Sequence, residues 1–344
     1  MTSVSLSDEP KATGPVAAGA PLLAVQDLTI AFPRVGGFVF AANRVAFSVG
    51  QARTLGLVGE SGSGKSVTLR SLIGLVPAPG AVVNGRIEWA GRNVLEYSPS
   101  ELRALRGLEI AMIFQDPSAS LNPVYPVGDQ IADVARVRLG LSRKAARERA
   151  IALLDRVGIA SARQRARDYP HQLSGGMRQR VMIAMAVACG PKLLLADEPT
   201  TALDVTIQDQ ILALLVELQG ETGMSMIIVS HDLGVIADVC DDVAVMYAGS
   251  LVEYGSRDDV IRSPRHPYTQ GLLSAVLPID LSSRGQRLRA IEGHPPDLRM
   301  LPPGCPFQAR CPYARPGCER VPMELDPAPP AHGSACPFVT GAAA

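Results

Sequence analysis

Residues 54–66 read TLGLVGESGSGKS, and the prediction of the fold starts from them. Its first five residues, Thr54–Val58, predict a short buried strand. The next six residues contain three glycines, and glycine allows a loop whose backbone N–H groups point inward around an anion. A helix is predicted from Lys65 to Leu75, ended by Pro77, and its N-terminus adds a partial positive charge. The stretch therefore predicts a phosphate-binding loop between a buried strand and a helix.

The residues of this loop have predicted roles in binding a nucleotide. Lys65 can reach the β- and γ-phosphates, and the hydroxyl of Ser66 can ligate Mg²⁺. A second strand, Leu193–Asp197, ends in a carboxylate that can hold the Mg²⁺ shell, and the adjacent Glu198 can face the attacking water. The residues of the loop predicted to bind ATP are Gly59, Glu60, Ser61, Gly62, Ser63, Gly64, Lys65, Ser66 and Val67.

A second glycine-rich turn, LSGG at residues 173–176, opens another predicted helix about a hundred residues later. Ser174 and the glycines after it would leave the N–H groups of that helix N-terminus free to bind an anion. The chain already has one anion site in the phosphate-binding loop. Two such sites suggest a nucleotide that is bound from two sides.

Composition and length bound the class of protein. The 344 residues suffice for one large domain and a smaller one, and a hydrophobic content of 47% allows a sizeable core. Thirty-three basic residues balance 33 acidic ones, so net charge does not indicate a nucleic-acid partner. The longest apolar stretch, Val181–Ala196, is interrupted and falls short of the about 20 residues that span a bilayer. Because the N-terminus lacks a signal pattern, we expect a cytoplasmic protein that docks at a membrane through another protein.

The chain divides into three predicted parts. Residues 1–20, rich in Ala, Gly, Pro and Ser, predict a disordered leader. Residues 21–262 alternate strands and helices, which predicts an α/β domain with a mainly parallel sheet and, at about 96–180, a helical subdomain. Residues 263–344 are rich in proline and cysteine, and the tail is expected to lack regular helix and sheet. Further predicted strands are Leu23–Ile30, Phe38–Ser48, Arg86–Trp89, Met226–Ser230 and Val243–Tyr247, and further predicted helices are Ser142–Val157, Thr206–Thr222 and one from Leu233.

Two features of the residue pattern leave alternatives open. Residues 136–167 hold ten basic and two acidic side chains, which predicts a solvated helical face or, as the alternative, a face near anionic lipid headgroups.

Cys189 and Cys240 lie in apolar segments and are predicted to be small core residues. The four cysteines of the tail have five, six and seventeen residues between them, a spacing that matches neither structural zinc pairs nor the ferredoxin run. In a reducing cytoplasm these thiols are expected to bind metal, and their chemistry allows zinc or iron–sulfur.

Taken together, these motifs resemble those of the nucleotide-binding subunit of ATP-binding-cassette (ABC) transporters, over roughly residues 22–262. The resemblance includes LSGGMRQR at 173–180, IFQD at 113–116, TALD at 201–204 and SHD at 230–232. It implies a P-loop NTPase fold of the ABC type, with a mainly parallel sheet core, an antiparallel β subdomain and a helical subdomain. It also implies ATP hydrolysis with Mg²⁺ as cofactor.

The resemblance assigns further roles to residues of this chain. The turn of one subunit (Ser174, Gly175 and Gly176) is implied to close on the γ-phosphate held by a partner subunit, with Asp204 in the dimer contact. Gln115 is implied to sense Mg²⁺ and to meet the membrane subunit, and His231 to bond the γ-phosphate and orient the nucleophile. Glu198 is implied to polarise the water. Phe32, placed in the loop between the first two strands, is the candidate for stacking on adenine, with Phe38 and Phe40 as rivals.

The tail resembles the C-terminal extension of oligopeptide, dipeptide and nickel importer ATPases, at residues 263–270 and 304–313. In this resemblance Cys305, Cys311, Cys318 and Cys336 are similar to ligands of a [4Fe-4S] cluster, with zinc as the alternative. A metal would give order to a proline-rich segment that has little core of its own.

The resemblance implies an ATPase subunit that energises peptide import from the cytoplasmic face of the inner membrane. Its implied partners are two membrane permease subunits, a second ATPase subunit and, indirectly, an extracytoplasmic solute-binding protein. The intact signature, LSGGMRQR at 173–180, together with Glu198 and His231, implies that this chain contributes competent halves to both nucleotide sites formed between two ATPase subunits. Nickel or another small solute remains an alternative cargo. An exporter subunit is disfavoured by the tail, and a soluble ABC ATPase acting on DNA repair or the ribosome is a remote alternative, because the chain has one cassette and no heptad insertion.

Overall fold

The computed structural model describes residues 21–76, 80–201, 203–275, 291–326 and 328–338. The strands in these residues form two sheets, and the helices pack around the larger sheet. The strands are β1 (Leu23–Arg34), β2 (Gly37–Val49), β3 (Thr54–Val58), β4 (Val82–Trp89), β5 (Arg92–Asn93), β6 (Ile110–Ile113), β7 (Leu193–Asp197), β8 (Ser225–Ser230), β9 (Asp242–Tyr247), β10 (Ser250–Ser256) and β11 (Gly333–Ser334).

The helices begin with α1 directly behind the glycine-rich loop and end with α11 in the tail. They are α1 (Lys65–Ser71), α2 (Pro99–Leu108), α3 (Pro117–Ser120), α4 (Val127–Leu139), α5 (Arg143–Arg156), α6 (Ala162–Arg165), α7 (Gly175–Val187), α8 (Val205–Thr222), α9 (Leu233–Val239), α10 (Arg257–Arg262) and α11 (Pro267–Ser274). None of the helices in the described ranges is long and apolar enough to cross a bilayer.

The larger sheet has the order β11-β10-β9-β3-β8-β7-β6, and its five strands from β9 to β6 run parallel. Both faces of a parallel sheet are covered, so its strands are apolar on both sides. In β7, Leu193 and Leu195 pack into the core beneath the antiparallel sheet, whereas Leu194 and Ala196 pack into the core beneath the helices. This two-sided burial explains why β3 and β7 read as continuous apolar runs.

The smaller sheet is antiparallel, with the order β2-β1-β4-β5. A turn of only two residues, Val35 and Gly36, joins β1 to β2. Gly36 has a φ of 88°, which glycine adopts at little cost in such a turn. The sheet covers one face of the larger sheet, and their shared core contains the fully buried Trp89.

The region from 96 to 180 is helical, as the sequence predicts, except at one place. Ile110–Ile113 forms β6, the outer parallel strand beside β7. A four-residue apolar run cannot be told from a buried helix segment by its periodicity, so the sequence gives no separate signal for β6. The predicted helix from Lys65 is also shorter than expected, since α1 ends at Ser71; Pro77 lies outside the described residues, as does the predicted leader.

The tail contains more regular structure than the sequence predicts. Residues 267–274 form α11, and β11 pairs with β10 although it has only two residues. The prediction that the tail lacks helix and sheet is therefore wrong at these two places. The edge of β10 offers backbone hydrogen bonds to β11, and α11 begins with a His266 N-cap followed by Pro267. Of the two cysteines predicted in the core, Cys240 is buried, and Cys189 is only partly buried.

A fully buried carboxylate fastens the tail to the larger sheet. Glu253 on β10 has no exposed side-chain surface. Its Oε1 and Oε2 accept the backbone N–H groups of Arg265 at 2.7 Å and His266 at 2.8 Å. The ring Nε2 of His332 lies 2.9 Å from Oε1 of the same carboxylate. Residues near both ends of the tail thus bind the Glu253 side chain. These hydrogen bonds offset the free-energy cost of burying its carboxylate.

Glu253→Ala is expected to destabilise the tail, because it leaves one buried and two partly buried polar groups without their acceptor. Losing one partner of such a buried cluster costs about 3–5 kcal/mol. Thermal unfolding and limited proteolysis of the tail measure the effect. Glu148→Ala is the control, because Glu148 pairs with Arg163 at the exposed surface and is expected to change little. Equal behaviour of the two variants would contradict the role given to Glu253.

Candidate functional site

The glycine-rich loop lies between β3 and α1. Two of its positions must be glycine, because other backbone segments come too close there to leave room for a side chain. A Cβ atom at Gly59 would lie 2.1 Å from the carbonyl oxygen of Met246, and one at Gly64 would lie 2.0 Å from that of Ala41. Both have positive φ angles, of 154° and 103°. Around them, Ser61 and Gly62 are exposed, Ser63 is buried, and Val67 is half-buried.

Lys65 is buried inside this loop. Its Nζ donates to the carbonyl oxygens of Gly59 at 2.7 Å and Glu60 at 2.9 Å. An ammonium group has three donors, so one remains for a phosphate oxygen. Burial lowers the pKa of Lys65, and the nearby carboxylates of Glu198, Asp197 and Glu60 act against this shift. A bound phosphate would add a further negative charge that favours the protonated amine.

Ser66 and Asp197 meet at the start of α1 and the end of β7. The Ser66 hydroxyl donates to Oδ1 of Asp197 at 2.7 Å. Oδ2 of Asp197 is buried and has no hydrogen-bond partner, and a guanidinium nitrogen of Arg70 lies 3.8 Å from it. Burial raises the pKa of Asp197. An unpartnered buried carboxylate oxygen beside a hydroxyl fits Mg²⁺, which prefers oxygen ligands.

Glu198 has a backbone conformation that is uncommon for a residue with a side chain, with φ at 47°. Its Oε2 accepts the Gln115 amide at 3.0 Å and the Thr201 hydroxyl at 2.8 Å. Nδ1 of the exposed His231 lies 3.8 Å from the same oxygen. The structure therefore brings three predicted residues, Gln115, Glu198 and His231, to one carboxylate oxygen, and adds Thr201, which the sequence reasoning did not select.

The signature turn and Asp204 both lie at exposed helix N-termini. Ser174 is the N-cap of α7 and accepts the N–H of Met177 at 3.3 Å, and Asp204 is the N-cap of α8 and accepts the N–H of Ile207 at 3.0 Å. The side chains of Ser174 and Asp204 face solvent. A Cβ on Gly176 would approach Ile207 to 2.9 Å, so this glycine lets α7 and α8 pack closely.

Phe32 lies in β1 and not in a loop, which corrects the predicted placement. It pairs with Val39 of β2, while Phe38 pairs with Pro33 and Phe40 with Ala31. Since directly paired residues share a face and neighbours alternate, Phe32 shares its face with Val39. Phe38 and Phe40 lie on the opposite face.

A cavity of about 350 Å³ opens beside the glycine-rich loop, and the tail forms one wall of it. The lining includes Val39 and Arg34 on the Phe32 face, residues 60–63 of the loop, Tyr247 and the tail segment 295–299. The sequence reasoning did not place the tail at this site. No local pattern marks it, because the contact joins residues more than two hundred positions apart.

The four tail cysteines line one cavity, together with Phe307 and Gln308. All four are free thiols. Burial raises the pKa of Cys305 to about 11 and also raises that of Cys311. Among the described residues, no set of three or more Cys, His, Asp or Glu side chains is arranged to hold one metal ion.

Comparison with known proteins identifies the family. The ABC transporter model matches residues 42–201, and the model of the oligopeptide/dipeptide transporter C-terminal region matches residues 252–318. The dipeptide transport ATP-binding protein DppD of Bacillus subtilis is 50% identical over 301 residues, covering 87% of this chain and 89% of that protein. The oligopeptide transport ATP-binding protein OppD of Salmonella typhimurium is 50% identical over 301 residues, covering 88% and 89%.

Solved structures agree with this result. The ATP-binding cassette MJ0796, in a dimeric post-hydrolysis state bound to ADP and phosphate, superposes with a TM-score of 0.61 at 26% identity, covering 68% of this chain and 98% of that one. The cbiO1 subunit from Clostridium perfringens superposes with a TM-score of 0.60 at 29% identity, covering 70% and 91%. The chain belongs to the ABC transporter family, as one of its ATP-binding proteins with an oligopeptide/dipeptide transporter C-terminal region. The predicted ABC-type fold is confirmed, and the chain is an ATPase.

Asp197→Asn is expected to remove the Mg²⁺ dependence of nucleotide binding, because it neutralises the unpartnered carboxylate beside Ser66. Binding of a fluorescent ATP analogue, titrated with and without Mg²⁺, measures this. ATP hydrolysis should fall by about a hundredfold or more, since the metal supplies several kcal/mol of charge stabilisation. Asp209→Asn, on the exposed side of α8, serves as the control. If Asp197→Asn kept the Mg²⁺ dependence of the parent protein, the proposed metal ligand would be wrong.

Proposed function

We propose that this protein is the ATP-hydrolysing subunit of an ABC importer that carries peptides. One observation carries the proposal: Gln115, Glu198 and His231 lie close together, next to the Ser66–Asp197 pair. The three residues come shortly after the ends of β6, β7 and β8. The cargo follows from the relatives, which carry dipeptide and oligopeptide transport in their names and match across both regions of the chain. Nickel or another small solute is the alternative cargo, because an ATPase subunit does not contact the transported molecule.

Residues of the loop bind the phosphates, and Phe32 stacks on the adenine. Lys65 donates to the terminal phosphates with its remaining N–H, while its other two hold the loop closed. Ser66, Asp197 and Gln115 hold Mg²⁺, which neutralises phosphate charge when it is bound. Phe32 is favoured over Phe38 and Phe40 because it shares the face of Val39, which lines the cavity beside the loop.

Glu198 orients the attacking water and accepts its proton. The two adjacent acids have different partners, since Asp197 accepts the Ser66 hydroxyl and Glu198 accepts the Gln115 amide and the Thr201 hydroxyl, so they can serve two purposes. His231, exposed and within 3.8 Å of Glu198, can reach the γ-phosphate and hold the nucleophile in line. Positioning and charge stabilisation supply most of the catalysis of phosphoryl transfer.

The complete site requires a second subunit. Ser174 caps an exposed helix N-terminus, where Gly175 and Gly176 leave backbone donors free for an anion. In the proposed head-to-tail dimer this turn closes on the γ-phosphate bound by the partner subunit, and Asp204 lies in the contact. The partner is a second ATPase subunit or a second copy of this chain.

The membrane partners dock beside Gln115. Phe114 is 36% exposed, and Tyr125 and Val124, a few residues further on, are 56% and 69% exposed. Exposed large apolar side chains near Gln115 in the sequence suit a protein partner. Two permease subunits cover these side chains in the proposed assembly, an extracytoplasmic solute-binding protein acts through them, and this subunit stays at the cytoplasmic face of the inner membrane.

The tail cysteines hold a [4Fe-4S] cluster in this proposal. Four free thiols around one cavity fit a group with four thiolate ligands. Zinc is the alternative, because four cysteine thiolates also form structural zinc sites.

Glu198→Gln tests the function in the transporter assembled with its membrane subunits. The amide cannot accept the proton, so ATP hydrolysis and peptide uptake should both fall by about a hundredfold or more. ATP binding should persist, and gel filtration with ATP should show a trapped dimer of nucleotide-binding subunits. Glu217→Gln, exposed on α8, should leave both activities unchanged. Substantial turnover by the Glu198 variant, or wild-type turnover without peptide uptake, would reject the catalytic role or the cargo respectively.

Purification without oxygen tests the cluster. The protein is expected to be brown and to contain iron and sulfide at about four each per chain, as the cluster type requires. Cys311→Ser should lose this content, and Cys189→Ser, outside the tail, should keep it. Colourless protein with one equivalent of zinc would replace the cluster by the alternative metal.

A further inference from the structure

One side chain of the tail is bonded directly to the phosphate-binding loop. The two terminal nitrogens of Arg310 donate to the two carboxylate oxygens of Glu60, at 2.7 and 2.9 Å. The side chain of Arg310 is 6% exposed and that of Glu60 is 26% exposed. A bidentate pair of this kind fixes orientation as well as distance, and its burial reduces screening by salt.

A second contact from the tail fixes the backbone of the same residue. The N–H of Glu60 donates to the hydroxyl oxygen of Tyr268 at 2.8 Å. Tyr268 is fully buried, and its ring packs against Tyr247 at 4.6 Å and Phe307 at 5.4 Å between centroids. Arg310 also donates to the Tyr247 hydroxyl at 3.2 Å. The N–H of Glu60 is thus bound by Tyr268, and its carboxylate by Arg310, which is itself bonded to Tyr247 in the same aromatic cluster.

Glu60 in turn sets the shape of the loop. Its carbonyl oxygen accepts from Lys65 at 2.9 Å and from the N–H of Ser63 at 3.2 Å. A shift of Glu60 would therefore move the amine that meets the phosphates and the turn that surrounds them. Close positional control matters here, because phosphoryl-transfer catalysis depends mainly on positioning.

We propose that Arg310 is a positioning residue for ATP, through which the C-terminal tail holds the phosphate-binding loop in its binding-competent shape. Two contacts link them: Arg310 donates to the Glu60 carboxylate, and Lys65 donates to the Glu60 carbonyl oxygen. A tether that only attaches the tail would predict a loss of stability without a selective loss of nucleotide affinity. The proposal rests on the placement of nucleotide at residues 59–66.

Arg310 is also tied to the cysteine-lined cavity. It directly precedes Cys311, and its backbone N–H donates to the carbonyl oxygen of Phe307 at 2.9 Å. Phe307, Cys311 and Gln308 all line that cavity. A change in the structure of the cysteine segment would therefore be transmitted to the phosphate-binding loop through the short turn from Phe307 to Arg310.

The test is a double-mutant cycle on the full-length protein. Arg310→Gln, Glu60→Gln and the double variant are titrated with a fluorescent ATP analogue, and ATP hydrolysis gives KM and kcat. Arg310→Gln should weaken binding and raise KM by about tenfold, the range of a charge-assisted hydrogen bond, with kcat changed less than KM. Arg310→Lys keeps the charge and loses the bidentate geometry, so it should give a smaller increase.

The cycle separates a contact through Glu60 from a general effect on the tail. Because Arg310 acts through Glu60, adding Arg310→Gln to Glu60→Gln should change affinity little further. Arg315→Gln is the matched control, since Arg315 lies in the same tail and donates to the carbonyl oxygen of Phe338, away from the loop. It should match the parent protein in KM.

Three results would overturn the proposal: an unchanged KM in Arg310→Gln, an equal rise in Arg315→Gln, or effects of the two single variants that multiply in the double variant. Should Arg310→Gln fail to fold, the cycle is run with Arg310→Lys, and an unchanged affinity there overturns it equally. Failure of the parent protein to bind the analogue would instead count against the placement of nucleotide at residues 59–66.

Discussion

The site depends on one constraint, that the carboxyl ends of parallel strands lie at the same edge of a sheet. Val58 at the end of β3 is in register with Ser230 at the end of β8, and Asp197 at the end of β7 pairs with Val229. The residues that follow these strands are the phosphate-binding loop, His231 and Glu198. The order β3-β8-β7-β6 therefore assembles from four distant segments what no single segment contains.

Buried charge at this edge is balanced by specific partners. Lys65 gives two of its hydrogens to loop carbonyls, and Asp197 accepts the Ser66 hydroxyl on one oxygen only. Burial lowers the pKa of Lys65 and raises that of Asp197, and both shifts favour the neutral form of the group. A doubly charged metal and a polyphosphate supply the opposite charges that such groups lack. The same rule applies to the tail, where Glu253 is buried and bonded by three donors.

How much could be predicted depended on how strong each local signal was. The strands Thr54–Val58 and Leu193–Asp197 were predicted with the bounds that the structure shows, because a recognisable motif marks the end of each: the glycine-rich loop and the acidic pair. β6 was missed because four apolar residues carry no period. Phe32 was placed in a loop because nothing in the local sequence shows that β1 and β2 continue to a two-residue turn. Both errors concern strands whose existence or length depends on pairing with a distant strand.

The sequence alone predicted the chemistry of the site, because the spacing within GESGSGKS and within the strand before Asp197 and Glu198 is a property of local backbone. It also determined the family, through motifs whose order along the chain is characteristic. The contacts between the tail and the phosphate-binding loop, in contrast, are visible only in the folded chain. Arg310 and Glu60 are 250 residues apart, and a salt bridge over that separation leaves no periodicity, spacing or composition from which it could be inferred. The packing of Tyr247, Tyr268 and Phe307 brings the two together.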